Sequence, residues 1–340
     1  MRDLVVAGGG PVGLATALYA ARAGLDVVVR EPRNGVIDKA CGEGLMPAAV
    51  ESLSDLGVEL GGRPLAGIRY LAPGHAAQAS FRHGPGRGVR RTALHRSMSS
   101  ALMFAGVEVV VSAVREVEPS GDHVLVDGEP ARHLVAADGL HSPVRRRLGL
   151  DDTRVSTRRY GQRCHAAVPP WTDFVEVHWS PLGEAYVTPV DDDLVGIAVL
   201  TSLKMAFTDL LESFPTLTPR LRGQRTTRVR GAGPLRQRSS ARVRGPVLLV
   251  GDAAGYVDAL TGEGIAVGIA QARAAVDAIV AGDLTRYERD WRRVTRRHDL
   301  LTRGLVTLTR PPSMRSRIVP AAAALPRVFE AAVNQLARPA

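Results

Sequence analysis

The chain has 340 residues and 36.2 kDa, with 45% hydrophobic and 23% charged side chains, which is enough to bury a substantial core and too apolar for wholesale disorder. No run of about 18 apolar residues occurs, and Met1-Arg2-Asp3 leads straight into an apolar strand, so a cytoplasmic chain without membrane span or signal peptide is expected. Cys41 and Cys164 allow at most one bridge, and no Cys/His cluster has zinc-ligand spacing, so reduced thiols and no metal are expected.

The formal charge is +10, and it is written almost wholly in arginine, since Lys39 and Lys204 are the only lysines. Residues 284–340 carry 12 arginines against 4 acids. These read as solvated faces of helices. A peripheral anionic surface or an acidic carrier protein would suit such a tail, and no nucleic-acid partner is expected.

In chain order, residues 3–7 are a short buried strand, Gly8-Gly9-Gly10-Pro11-Val12-Gly13 a glycine turn, and 14–23 an Ala/Leu-rich helix closed by Gly24. Residues 26–31 form a second strand ending on Glu31, which completes a βαβ unit. The stretch 32–47 is a glycine-punctuated loop and 48–56 a helix. Strand-like alternation follows over 65–82, then a loop at 83–88 and a helix at about 92–105. Strands are expected at 107–111, 124–126 and 134–137, the last ending at Asp138-Gly139, and an antiparallel sheet over 155–200. A buried strand at 247–250 closes on Gly251-Asp252, an alanine-rich helix covers 264–280, and a helical tail runs from 284.

The spacing Gly8-x-Gly10-x-x-Gly13, after a strand and opening a helix, fits the dinucleotide fingerprint. Gly8 permits the tight turn, Gly10 lets backbone approach a pyrophosphate, and Gly13 allows close helix–strand packing. The helix start adds N–H donors and partial positive charge. Glu31 stands where a carboxylate accepts ribose hydroxyls and repels a 2′-phosphate, so FAD or NAD is expected rather than NADP.

Two later segments narrow this. Ala137-Asp138-Gly139-Leu140-His141-Ser142-Pro143-Val144-Arg145 and Gly251-Asp252-Ala253-Ala254-Gly255, the latter followed by Gly262-Glu263-Gly264, resemble the Asp-Gly and Gly-Asp motifs of flavoprotein hydroxylases. With the glycine turn, and in this order, they resemble the para-hydroxybenzoate hydroxylase-type flavoprotein superfamily over residues 3–280. The resemblance implies an α/β fold: a Rossmann-type FAD-binding domain with an inserted antiparallel β-sheet substrate domain and a helical C-terminal tail. FAD-domain segments are expected at 1–64, 91–154 and 236–282, substrate-domain segments at 65–90 and 155–235, and a basic helical region at 283–340. The cofactor is FAD, with NAD(P)H as a transient reductant, because no second glycine fingerprint follows a strand.

Asp252, at a strand end, can accept from a ribityl hydroxyl, and the Gly262–Gly264 turn with its helix can place N–H donors at the flavin O2. Asp138 either holds the diphosphate region through a network or merely ends its strand. Arg91 falls where the superfamily has a polar residue facing the flavin, with Arg90 as competitor. Lys39, Cys41 and Gly42 lie in the loop that, by the resemblance, crosses the flavin. Pro11, Val12, Arg33, Val114 and Ile265 complete the implied cofactor set. No catalytic side chain is assigned, because the flavin carries the chemistry. Cys41 is the one candidate, read either as a reactive thiol or as a small buried hydrophobe. His178, Tyr186 and Thr188 are substrate-side candidates.

Within the superfamily, Cys41-Gly42-Glu43-Gly44-Leu45 and Gly255-Tyr256-Val257-Asp258-Ala259-Leu260-Thr261-Gly262-Glu263-Gly264 look most like geranylgeranyl reductases. Ala259 replaces the usual proline, and Ala185-Tyr186-Val187-Thr188-Pro189-Val190 lacks the second aromatic and lysine of the reductase motif. Trp171, Trp179 and Trp291 give no halogenase Trp-x-Trp spacing. The first expectation is therefore an FAD-dependent monooxygenase, using NAD(P)H and O2 on a small aromatic or polyketide-like molecule. The alternatives are a flavin-dependent C=C reductase of the geranylgeranyl reductase type, and a non-catalytic flavin-binding docking protein.

Overall fold

A computed structural model describes residues 1–153 and 158–338. The boundary expected between 154 and 155, and the start of the 155–200 sheet, fall at 154–157, outside the described residues.

The first sheet runs Val243–Arg244, Val247–Leu249, Glu129–Ala136, Arg2–Ala7, Val27–Arg30, Glu108–Val110. Its centre is parallel, with Arg2–Ala7 between Glu129–Ala136 and Val27–Arg30. Parallel strands are covered on both faces, so they read as unbroken apolar runs: Leu4, Val6, Val29, Leu134, Val135 and Val247 to Val250 are all fully buried. The helices Pro11–Arg22 and Gly264–Val280 lie against one another, and Gly268 is where they meet, since a β-carbon there would stand 2.4 Å from Val12 Cγ2.

The second sheet runs Arg230–Ala232, Tyr160–Ala166, Leu194–Thr201, Gly183–Asp191, Phe174–Ser180, Gly67–Ala72, His75–Ser80. It is antiparallel except where Gly67–Ala72 joins Phe174–Ser180 in parallel, which is how two strands from the first quarter of the chain reach it. Alternation gives it two faces. Cys164, Ala185, Val187, Ile197 and Val199 pack on Phe207, Leu210 and Phe214 of the segment after it. Arg163, His165, Tyr186 and Thr188 point the other way, toward the first sheet.

Three features escape the sequence reading. Gly44–Leu45, Gly86–Gly88 and Arg63–Leu65 form a small third sheet; the first two lie in segments read as loop and the third begins in a stretch assigned no element, because strands this short carry no periodicity. The helices Phe207–Glu212 and Thr218–Leu221 follow the second sheet. The tail is three helices, Thr285–Leu308, Pro312–Ala324 and Pro326–Ala337, divided at prolines that cannot continue the preceding hydrogen-bond ladder. Its last helix covers the edge strand His75–Ser80: Asn334 accepts from Arg82 N at 2.8 Å and donates to Ser80 O at 2.9 Å. Among the described residues no helix is long and apolar enough to cross a membrane, and no group of three or more His, Cys, Asp or Glu could hold a metal ion.

Candidate functional site

The glycine turn is built by close approach. Gly8 has φ +107°, a conformation that glycine alone adopts freely, and a β-carbon on it would lie 2.6 Å from Ala137 O. One on Gly13 would lie 1.8 Å from Gly8 O, whereas one on Gly10 meets nothing within 4 Å. Two glycines therefore close the turn and the third leaves its backbone open at the start of a helix. Pro11 is the first residue of that helix, and Val12 turns inward onto Gly251 and Gly268 instead of outward.

Glu31 is buried, 4% exposed, and ties the second strand to the turn: its Oε2 accepts from Gly9 N at 2.8 Å and its Oε1 from Arg33 Nε at 2.6 Å. Burial would raise this carboxyl, but the bonds from Arg33 and Gly9 hold it below its ordinary value. On the opposite side, the helix Arg91–Phe104 contributes His95, whose Nε2 lies 3.1 Å from Gly9 O. Val114 packs at the rim of the core, next to the Ser112–Ala113 segment held by Arg30.

Three cations converge beside this turn. Burial, then the Arg33 charge, push the Lys39 ammonium down, while Asp252 and Glu31 pull it up. The Arg91 guanidinium is 5% exposed, is lowered by burial, and leaves Nη1 buried without a partner. Arg90 is the residue before the helix and is half-buried, so Arg91 is the inward member of the pair. Facing them, Asp252 is raised by burial and takes no side-chain hydrogen bond among the described residues. Asp138 accepts from Val144 N at 3.1 Å through Oδ2 and leaves Oδ1 buried and unpartnered. Crowded cations and an orphaned donor beside an open glycine backbone fit a diphosphate, and the unpaired Asp252 carboxylate fits a hydroxyl donor.

Arg145 locks the two later motifs together. Fully buried, it donates to Asp252 O at 3.3 Å, Ala253 O at 3.1 Å, Leu140 O at 3.1 Å and Gln237 Oε1 at 2.9 Å. Val12 packs against Gly251 from the first helix. Gly262 at φ +72° leads into the Gly264–Val280 helix, and Ile265 packs on the first core.

The 38–44 loop is fastened to the second sheet. Glu43, at φ +60°, accepts from Arg91 N at 2.8 Å and meets His165 Nε2 at 2.7 Å. Gly196 lies beneath it because a β-carbon there would stand 2.9 Å from Glu43 Oε2. Arg163 bonds Asp38 and donates to Lys39 O at 3.0 Å. Thr188 Oγ1 donates to Gly42 O at 2.8 Å, and Tyr186 Oη to Leu260 O at 2.9 Å. Tyr186 and Thr188 thus reach the site, but His178 does not. Paired with Ala185, it faces the helical side, 2.8 Å from Thr216 Oγ1 and 3.3 Å from Glu176 Oε2. One step of register decides the face. Glu43, Arg163, His165, His95 and Arg145 were not singled out from sequence, although Glu43 and Arg145 lie inside motifs quoted above.

Comparison with known proteins decides what this site is for. Residues 1–181, more than half of the chain, match the FAD binding domain family. The chain belongs to this family. It is an FAD-dependent oxidoreductase, and FAD is its cofactor. The menaquinone reductase of Mycolicibacterium smegmatis is 30% identical over 339 residues, covering 87% of this chain and 80% of the relative. Digeranylgeranylglycerophospholipid reductase 1 of Methanothermobacter thermautotrophicus is 29% identical, covering 83% and 79%. The structure of p-nitrophenol 4-monooxygenase from Pseudomonas putida DLL-E4 superposes with a TM-score of 0.82 at 20% identity, covering 99% of this chain and 98% of that one, which shows the fold.

Two predictions follow for this flavoprotein. Glu31→Ala is expected to lower the flavin-to-protein ratio of purified material by about tenfold, the cost of one charge-assisted hydrogen-bond set. An unchanged absorbance ratio would remove Glu31 from the nucleotide site. The Cys41 thiol is pushed up by burial, with Arg91 only partly offsetting it, so it is protonated at neutral pH. Alkylation by iodoacetamide should be slow at pH 7 and climb only above the range of an exposed thiol, about 8.5. Rapid labelling at pH 7 would mark a thiolate.

Proposed function

We propose that the protein is an FAD-dependent reductase of a carbon–carbon double bond in an apolar, prenyl-type substrate, with NAD(P)H as the electron donor. The observation that carries this is the likeness of the chain, over more than four fifths of its length, to the two reductases named above. The interface between the second sheet and the Gly262 turn has Val177, Trp179, Leu200, Leu260 and Val319 buried with Tyr70, Tyr186, Tyr256 and Ala259 packed against them, and it also encloses Arg159 paired with Glu184 at 3.1 Å and Asp258 at 2.9 Å. Alkene reduction is thus our reading, in place of the oxygen transfer that the sequence ranks first.

Bound FAD would supply the two-electron chemistry, passing hydride from NAD(P)H to one alkene carbon while a proton from solution completes the other. The chain's own residues have separable tasks. Gly10, Glu31, Lys39 and Arg91 hold the nucleotide and its diphosphate. Asp252 accepts a hydroxyl, and the first-turn N–H groups of the Gly264–Val280 helix stabilise negative charge on the reduced ring. The Cys41–Gly44 loop, fastened by Thr188 and His165, excludes water from the reacting face. Cys41 has no assigned proton transfer.

Oxygen transfer is the second reading, favoured by the Ala185–Val190 strand, which departs from the prenyl-reductase motif. Product mass separates the two. Incubation with NADPH and a geranylgeranyl lipid should give a product that gains two hydrogens on its prenyl chain. A product that gains one oxygen atom would overturn the reductase reading.

A further inference from the structure

A cavity of about 120 Å³ opens between the 236–239 segment, the Gly251–Val257 turn and the Thr285–Leu308 helix. Of the flavin set it shares only Gly251, Asp252 and Gly264. Gly10, Glu31, Lys39 and Arg91 do not line it. Four arginines do: Arg236, Arg238, Arg242 and Arg303. Three have carboxylate partners: Arg238 meets Asp152 at 3.6 Å, Arg242 meets Glu288 at 3.1 Å while stacking 3.8 Å over Trp291, and Arg303 meets Asp299 at 3.0 Å.

Arg236 is different. Its guanidinium is half-buried and has no ion pair among the described residues. The charges close to it are Arg303, Arg238 and Arg310, all of its own sign, and they lower its proton affinity along with burial. The acids on the wall are Asp299, already paired with Arg303, and Asp252, on the flavin side of the turn. Arg236 lines the cavity together with Arg238 and Arg303, so an anion entering there meets three guanidiniums, one of them without a carboxylate partner among the described residues and with a planar fork that matches phosphate oxygens.

The geometry points to a second binding site, in which Arg236, flanked by Arg238 and Arg303, holds the phosphate-bearing end of a small organic molecule. The phosphate belongs either to the nicotinamide dinucleotide, for which the chain has no second glycine fingerprint, or to a prenyl diphosphate substrate. The site itself does not depend on the reductase reading, although the choice of owner does.

Calorimetric titration of the FAD-loaded protein with inorganic pyrophosphate at low ionic strength tests the site. Saturable binding is expected, weakened about tenfold or more in Arg236→Ala, partly restored in Arg236→Lys, and unaccompanied by loss of flavin. Absence of pyrophosphate binding, or equal affinity in Arg236→Ala, would overturn the site. Arg238→Ala, at an exposed position on the cavity wall, gives the same answer if Arg236→Ala does not fold. NADPH, NADH and geranylgeranyl diphosphate are then titrated. Weakening of the dinucleotides alone assigns the reductant, weakening of the prenyl diphosphate alone assigns the substrate, and weakening of none contradicts the proposal. Failure to reduce any alkene would leave the pyrophosphate result standing.

Discussion

Gly13→Ala is expected to yield protein with less than about a tenth of the wild-type flavin, and with a lowered thermal midpoint. The reason is steric. The new β-carbon would stand 1.8 Å from Gly8 O, and Gly8 cannot retreat because its own Cα faces Ala137 O, 2.6 Å from where a β-carbon would be. The turn sits between the central strand and the helix behind it, so relief has to come from moving one against the other in a packed core, at about 1–3 kcal/mol. Gly10→Ala is the control. Nothing lies within 4 Å of its β-carbon, so the fold should survive with an unchanged midpoint while flavin is lost through the blocked approach alone. Full flavin in Gly13→Ala, measured by absorbance against protein, would contradict the role given to the turn.

Arg145→Met is expected to be the costliest single change away from the glycines. One fully buried guanidinium satisfies the carbonyls of Asp252, Ala253 and Leu140 and the Gln237 amide, and faces Asp151 at 3.3 Å. Methionine fills most of the volume but takes the guanidinium from Ala253 O and Leu140 O, and it leaves Asp151 and Gln237 Oε1 to Thr153 Oγ1 and Asp252 O to Gly255 N. Removing one partner of such a set costs about 3–5 kcal/mol, or roughly 5 °C in thermal midpoint for a chain of this size. Because Arg145 joins the Asp138 and Asp252 segments, flavin affinity should fall with stability. Calorimetry of the flavin-free protein separates the two effects, and a midpoint within a degree or so of wild type would refute the structural role.

What the sequence made legible was what is local. The glycine turn, the strand ending on Glu31 and the Gly251-Asp252 strand end are each encoded within about 30 residues, and the first sheet's parallel strands announce themselves as apolar runs. The contacts that finish the site are not local. His165 reaches Glu43 across 122 residues, and Arg145 reaches Asp252 across 107. Nothing in either neighbourhood announces the partner. His178 shows a different limit. Its strand was recognised, but which of two faces it occupies depends on register, and alternation alone cannot say which face looks at the flavin domain. The tail shows a third. Its arginine surplus suggested a docking face, yet Phe329 and Val333 pack on Ala77 and Ala79, so part of the tail serves as cover for the second sheet.

The most direct test of the account is anaerobic. The FAD-loaded protein is reduced in the absence of oxygen and mixed with a geranylgeranyl lipid or menaquinone while the flavin absorbance is followed. The account predicts that the bleached flavin regains its oxidised spectrum without oxygen, with two hydrogens added to a prenyl double bond, not to a quinone ring, per flavin reoxidised. Flavin that stays bleached with these substrates and reoxidises only when O2 is admitted, with oxygen then found in the product, would contradict it.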